Sequence, residues 1–249
     1  MPLNVVAIIQ ARMGSTRLPG KVLKEIQGKP MLWYVVERTK KAKIVNQVIV
    51  ATTTDPSDDL ITSFCKTQEY PYYRGSVQDV LDRFYQAAKM YTADVIVRIT
   101  SDCPLIDPGL IDLTVDALLE HDVDFTTNRL PPPFSRTYPI GLDVEVCTFA
   151  VLEKAWREAS SSHEREHVMP YLYEKEGRFK VWQMNSPVDY GRLRWTVDTP
   201  ADLEVIRKIF VYFSGRIDFT WLDVLELYKQ EPGLFQYNEE IRQKSLYDK

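Results

Sequence analysis

Twelve residues near the start of the chain carry the densest chemistry in the sequence. Gln10-Ala11-Arg12-Met13-Gly14-Ser15-Thr16-Arg17-Leu18-Pro19-Gly20-Lys21 combines three cations, two hydroxyls and two glycines. Gly14 and Gly20 permit close backbone approach, and amides in such a turn can form an anion-binding nest. Arg12, Arg17 and Lys21 can neutralise phosphate oxygens, the arginines through forked hydrogen bonds. The segment is neither a GxGxxG fingerprint nor a GxxxxGK[ST] phosphate loop. A solvated surface turn with scattered cations is the alternative. Two acidic positions invite a second chemistry: Asp102 in Thr100-Ser101-Asp102-Cys103-Pro104, and Asp198 in Thr196-Val197-Asp198-Thr199-Pro200. Carboxylate oxygens suit magnesium, which takes one or two of them together with water and phosphate. Either aspartate can also be a turn or helix cap.

The elements that must position these groups follow from periodicity. Val5 to Gln10 is a short β-branched run that reads as a buried strand leading straight into the cationic loop. Gln47 to Thr52 and Asp94 to Ile99 read as further strands, and Val123 to Thr127 and Asp143 to Cys147 as two more. Helices are expected from Pro30 to about Lys41, from Ser57 to about Glu69, from Ser76 onward with an Asp79 capping box, and from Gly109 to His121. Further helical patterns follow Thr148 and span Pro200 to Phe213 and Trp221 to Lys229. Strands alternating with helices indicate a layered α/β fold with a mostly parallel sheet, whose ligands sit outside the strand carboxyl ends. Those ends are the loops at Ala11, Thr52 and Thr100. Leu130 to Pro139 contains four prolines and reads as a loop, so an arm or lid around 128–145 on a single domain over 1–249 is the simplest organisation.

Bulk properties narrow the function. The chain has 249 residues, 45% hydrophobic and 27% charged, with a net charge of −4. That balance speaks against general nucleic-acid binding, and the aromatic residues near the carboxyl end sit among acids rather than bases. No run approaches the ~18 apolar residues needed to span a bilayer, and no secretory leader is visible at the start. Three widely spaced cysteines, Cys65, Cys103 and Cys147, suggest buried thiols in a reducing, cytoplasmic compartment. The first acidic residue is Glu25, so an acid-free, basic beginning faces a mildly acidic remainder, a distribution that attracts a small polyanion.

The stretch Ala-Arg-Met-Gly-Ser-Thr-Arg-Leu-Pro-Gly-Lys-Val-Leu from Ala11 to Leu23 resembles the opening motif of the cytidylyltransferases that activate acidic sugars as CMP-sugars, and is most similar to the spore-coat polysaccharide biosynthesis protein F subgroup. Matching blocks continue in order at Arg74 to Phe84, Arg98 to Asp107, Tyr138 to Val146, Glu164 to Val168 and Arg194 to Glu204. The resemblance implies a Rossmann-like three-layer nucleotide-diphospho-sugar transferase fold with a mostly parallel mixed sheet, often a homodimer, with Mg2+ in the site. It implies that Arg12, Ser15 and Lys21 hold the triphosphate of CTP, with Gly14, Arg17, Thr100 and Asp102 also on the nucleotide. Backbone near Ala11 and the Arg74 region would help recognise the nucleoside, and Asp102 and Asp198 would bind the metal. A sugar hydroxyl would attack the α-phosphorus and pyrophosphate would leave in line. Arg12, Lys21 and Asp102 are then the catalytic candidates.

For the sugar, Asn128, Asp143 and Glu145 are the polar types that read hydroxyls, and Tyr138 can stack on a ring. Arg165 and His167 are further candidates. They lie within His163-Glu164-Arg165-Glu166-His167, which formally matches the zinc-protease pattern H-E-x-x-H. Pro170 leaves little helix after the second histidine, and no third ligand is evident, so the sugar-site reading is preferred. A glycosyltransferase using a finished nucleotide sugar is one competing function. A non-catalytic nucleotide-binding protein of a polysaccharide pathway is another.

Overall fold

The computed structural model describes residues 2–131 and 134–243. Nine strands carry the architecture: β1 (Val5–Gln10), β2 (Glu25–Ile26), β3 (Lys29–Pro30), β4 (Gln47–Thr53), β5 (Tyr72–Gly75), β6 (Val95–Thr100), β7 (Phe125–Thr127), β8 (Glu145–Thr148) and β9 (Val181–Gln183). The helices are α1 (Met31–Thr39), α2 (Asp59–Thr67), α3 (Val80–Met90), α4 (Pro108–Glu120), α5 (Phe149–Glu158), α6 (Ser162–His167), α7 (Pro170–Tyr173), α8 (Pro200–Tyr212) and α9 (Trp221–Gln230). Seven strands form one sheet in the order β5-β4-β1-β6-β8-β7-β9, while β2 and β3 pair separately. Within the seven-stranded sheet β8 runs antiparallel to both its neighbours and the remaining pairings are parallel. This is the α/β fold with a mostly parallel mixed sheet that the alternation predicts.

Burial explains the central strands. Val5 to Ile9 of β1 are all buried, because helices cover both faces of the sheet. Val5, Ala7 and Ile9 pack with α1, α2 and α4; Val6 and Ile8 pack with α3, α5 and α7. A third cluster, built around the fully buried Trp195, seats α8 and α9 beside the start of α1. In register, Gln10 pairs with Ala51 of β4 and Thr100 of β6, so three strand ends open at one level. Among the described residues, no helix is long and apolar enough to cross a membrane.

Several boundaries move for local reasons. Pro30 belongs to β3 and caps α1 from outside. Ser76 accepts a hydrogen bond from the Asp79 amide at 2.9 Å, and Asp79 caps α3 through the Asp82 amide at 2.9 Å. The expected box is therefore two successive caps, and the helix starts at Val80. Asp143 precedes β8 rather than starting it. Of the proline-rich arm, Pro132 and Pro133 lie outside the described residues; the rest returns through an Ile140–Arg194 bridge.

Candidate active site

A cavity of about 1280 Å³ opens over the ends of β1 and β6. On one side stands the 11–21 loop, tied at several points. The Ala11 amide donates to Ala51 O at 3.1 Å and the Met13 amide to Asp58 Oδ1 at 2.7 Å. The Ser15 and Gly20 amides both donate to Met13 O, which folds the loop on itself. Ala11, Arg12, Gly14, Ser15, Arg17 and Lys21 all line the cavity, as do Thr100 and Asp102.

At its floor the two expected metal positions meet on one ammonium. Lys21 Nζ donates to Asp102 Oδ2 at 2.9 Å, Asp198 Oδ1 at 2.8 Å and Val197 O at 2.8 Å. Burial works against the Lys21 charge, but Asp102 and Asp198 outweigh it and hold the group above its ordinary value. Burial would likewise raise Asp102; Lys21, helped by Thr100 and Cys103, brings it down to about 2 instead. The other oxygen of Asp198 meets Arg17 Nη2 and Arg194 Nη2, both at 3.0 Å.

Beneath Asp198 lies a buried network that sequence reasoning missed. Arg194 reaches Asp202 through Nε at 2.8 Å and Nη2 at 3.0 Å, and its Nη1 meets Gln243. Asp202 accepts from the amides of Asp198 and Thr199 and from Asn238 Nδ2. It also closes a capping box with Thr199 at the start of α8, so Thr199, not Asp198, is the cap there. That frees the Asp198 carboxylate to face the cavity. The spacing Thr199-x-x-Asp202 before an apolar helix was the available signal.

The opposite wall is a ladder of alternating charges. Arg136 grips Asp143 with two hydrogen bonds, Arg129 lies between Asp143 and Glu145, and Glu145 pairs with Arg98. Arg98 Nε then donates to Gln10 Oε1 at 3.2 Å, linking this wall to β1. Burial alone would raise Asp143, yet Arg136 and Arg129 hold it below the usual range. Gly141 makes the wall possible. Its φ is +105, and a Cβ there would lie 2.6 Å from the Thr196 amide nitrogen, closer than any side chain tolerates.

Helix α6 closes the far end. Ser161 and Glu164 form a capping box, so Glu164 is folded back onto the helix start and does not face the cavity as a zinc-protease base would. Arg165 lines the cavity while its guanidinium clamps Asp79, with Nε at 3.0 Å from both carboxylate oxygens, and donates to Trp156 O at 2.7 Å. The His167 ring stands 4.9 Å from that of His163. Burial lowers the His167 pKa, as do His163, Arg98 and Arg129, against the pull of Glu166. The helix ends in a γ-turn at Val168, with φ 72 and ψ −58 and the Met169 amide 2.9 Å from His167 O. A β-branched residue in that conformation is strained, and it directly follows His167, which lines the cavity.

Three expected site residues lie elsewhere. Arg74 does not line the cavity; it donates to Thr53 O and Asp55 O and pairs with Asp59, bracing the turn after β4. Asn128 is buried between backbones, donating to Leu142 O at 2.6 Å and accepting from the Val144 amide at 2.9 Å. It joins two segments where strand pairing lapses. Tyr138 packs edge-on to Trp221 at 5.6 Å in the cluster around Trp195. Asp143, Glu145, Arg165 and His167 line the cavity with Asp102 and Asp198.

Comparison with known proteins identifies the family. An uncharacterized protein of Methanocaldococcus jannaschii is 38% identical over 245 residues, covering 98% of both chains. The spore coat polysaccharide biosynthesis protein SpsF of Bacillus subtilis is 30% identical over 236 residues, covering 92% of this chain and 95% of that one. A cytidylyltransferase structure from Leptospira borgpetersenii superposes with a TM-score of 0.89 at 37% identity, over 97% of this chain and 100% of the other. The cytidylyltransferase family model matches residues 6–246, and with full-length relatives on the same fold the chain belongs to the cytidylyltransferase family of nucleotidyltransferases.

Proposed function

We propose that this chain transfers CMP from CTP to a hydroxyl of a sugar and releases pyrophosphate. One observation carries the reading: Lys21 is held between Asp102 and Asp198 at the floor of a cavity whose adjoining wall is the cationic 12–17 loop. In the reaction the sugar oxygen bonds to the α-phosphorus, the bond from that phosphorus to the β-phosphate bridge breaks, and the hydroxyl proton is lost. Arg12, Arg17 and Lys21 place positive charge where the departing pyrophosphate accumulates negative charge.

Asp102 and Asp198 would hold a magnesium ion only together with nucleotide phosphates and water, since Lys21 already lies between the two carboxylates and no cluster of three or more acidic, histidine or cysteine groups placed to hold a metal is found among the described residues. Bound there, magnesium would supply Lewis-acid polarisation of phosphate oxygens. The charge ladder is the proposed acceptor wall. Asp143 and Glu145 offer acceptors for sugar hydroxyls, and Arg98, Arg129 and Arg165 make an acidic sugar the first candidate. The polysaccharide role in the name of the Bacillus relative supports a product destined for a surface glycan, and family resemblance supports a cytoplasmic homodimer.

The test is a pyrophosphate-release matrix: four nucleoside triphosphates against acidic and neutral sugars, with and without magnesium. Pyrophosphate release that requires CTP, a sugar and magnesium is the expected result. Sugar transfer from a finished nucleotide sugar without pyrophosphate would overturn it.

A further inference from the structure

Among the described residues, the buried or part-buried arginines other than Arg83 are well supplied with partners. Arg38, fully buried, donates to four backbone carbonyls, those of Leu105, Ile106, Ile217 and Phe219. Arg194 and Arg98 each face a carboxylate. Arg83 is 2% exposed, yet its one hydrogen bond among the described residues runs from Nη1 to Ser76 O at 2.7 Å. Its Nε is buried with no partner at all. The two nearest acids are committed elsewhere: Asp58 accepts from the Met13 and Thr53 amides and the Thr53 hydroxyl, and Asp79 from Arg165 and the Asp82 amide.

Position makes this deficit meaningful. Arg83 lines the cavity on the side of the cationic loop, and Gly75 makes way for its stem, since a Cβ there would stand 3.0 Å from Arg83 Cγ. Its close cationic neighbour is Arg12, an exposed loop residue with no hydrogen bond or ion pair among the described residues. Burial first, and Arg12 second, lower the Arg83 pKa to about 10. A buried guanidinium with a single carbonyl partner, an unpartnered Nε and no carboxylate is costly unless an anion completes it.

We propose that Arg83 and Arg12 together form a phosphate subsite, filled by the triphosphate of the nucleotide and by pyrophosphate. The proposal rests on the nucleotidyl-transfer reading, but its test needs no acceptor sugar. Titration calorimetry and thermal unfolding are run with pyrophosphate, CTP and, as an uncharged control, cytidine, on wild type and Arg83→Met.

Arg83→Met should weaken pyrophosphate and CTP by about tenfold or more, the scale of a lost charged hydrogen bond. It should leave cytidine unchanged and the ligand-free protein no less stable. Unchanged affinity for pyrophosphate and CTP would overturn the proposal, whether the variant lost stability, which marks a structural clamp, or raised only the KM for an acceptor. Arg83→Lys keeps the charge and stem but not the fork. Wild-type pyrophosphate binding by that variant would overturn the proposal even if Arg83→Met failed to fold.

Discussion

The two walls of the cavity solve opposite electrostatic problems. The wall proposed for the nucleotide comes from one continuous loop and leaves cations open: Arg12 has no partner among the described residues, and Arg17 shares a single carboxylate oxygen with Arg194. The wall proposed for the acceptor comes from three separated segments, and each guanidinium there already faces an acid. A triphosphate brings several charges that the protein must meet, so positive charge is held in excess where it binds. An acidic sugar brings at most one negative charge among many hydroxyls, which are read by fixed donors and acceptors, so that wall carries its arginines in pairs with acids and is held rigid. One half is an electrostatic trap and the other a template.

That contrast can be broken at four points. The largest effect is expected from Arg194→Met, which strands the fully buried Asp202 and loosens Asp198. Denaturant unfolding should show a loss of about 3–5 kcal/mol, the scale for a broken buried pair. Lys21→Met should lower pyrophosphate-release turnover by about a hundred- to a thousandfold, as for other removed transition-state donors. Turnover near wild type would dissolve the distinction between the walls. Glu145→Gln should raise the acceptor KM by about tenfold while leaving the KM for CTP unchanged; equal changes in both would show the ladder serving the nucleotide as well.

The smallest effect is a pH dependence. The folded Asp102 lies at about 2, below its unfolded value of about 3.9. Its contribution to stability is therefore complete above that unfolded value and is lost as pH falls towards 2. Acid unfolding of Asp102→Asn, compared with wild type between pH 5 and pH 2, should show a shallower decline.

How much of this was visible beforehand depended on whether a residue works locally. β1 and the loop after it were legible because an apolar run ending in glycines and cations has one economical arrangement, and Gln10 to Lys21 stay adjacent in the fold. Asp102 and Asp198 were legible by type, but their convergence on Lys21 was not, since 96 residues separate them in the chain. Arg74 was misplaced because its motif neighbours do reach the cavity: Val77, Gln78 and Asp79 line it, whereas strand alternation sends Arg74 towards Asp59. Asn128 has the composition of a ligand-binding residue and the task of a backbone splice. Arg83 looked like any polar position on an amphipathic helix; its burial follows from the bare backbone of Gly75, a contact across eight residues that periodicity does not register.

The reversed direction of β8 carries one more consequence. A parallel strand would deliver its carboxyl end to the cavity, but β8 delivers its beginning, so Glu145 arrives as its first residue and Asp143 from the segment that precedes it. That segment is spliced at its base through Asn128, held along its course where Gln183 donates to Ser135 O and the Tyr190 amide to Thr137 O, and bridged again at Ile140. The nucleotide loop, by contrast, is fastened at Ala11, Met13 and Gly20, within itself and to β4 and the turn after it. The acceptor wall therefore depends on contacts made far along the chain, so exchanging acceptors between relatives means moving Arg129, Arg136, Asp143 and Glu145 together with the 183–190 stretch that holds them.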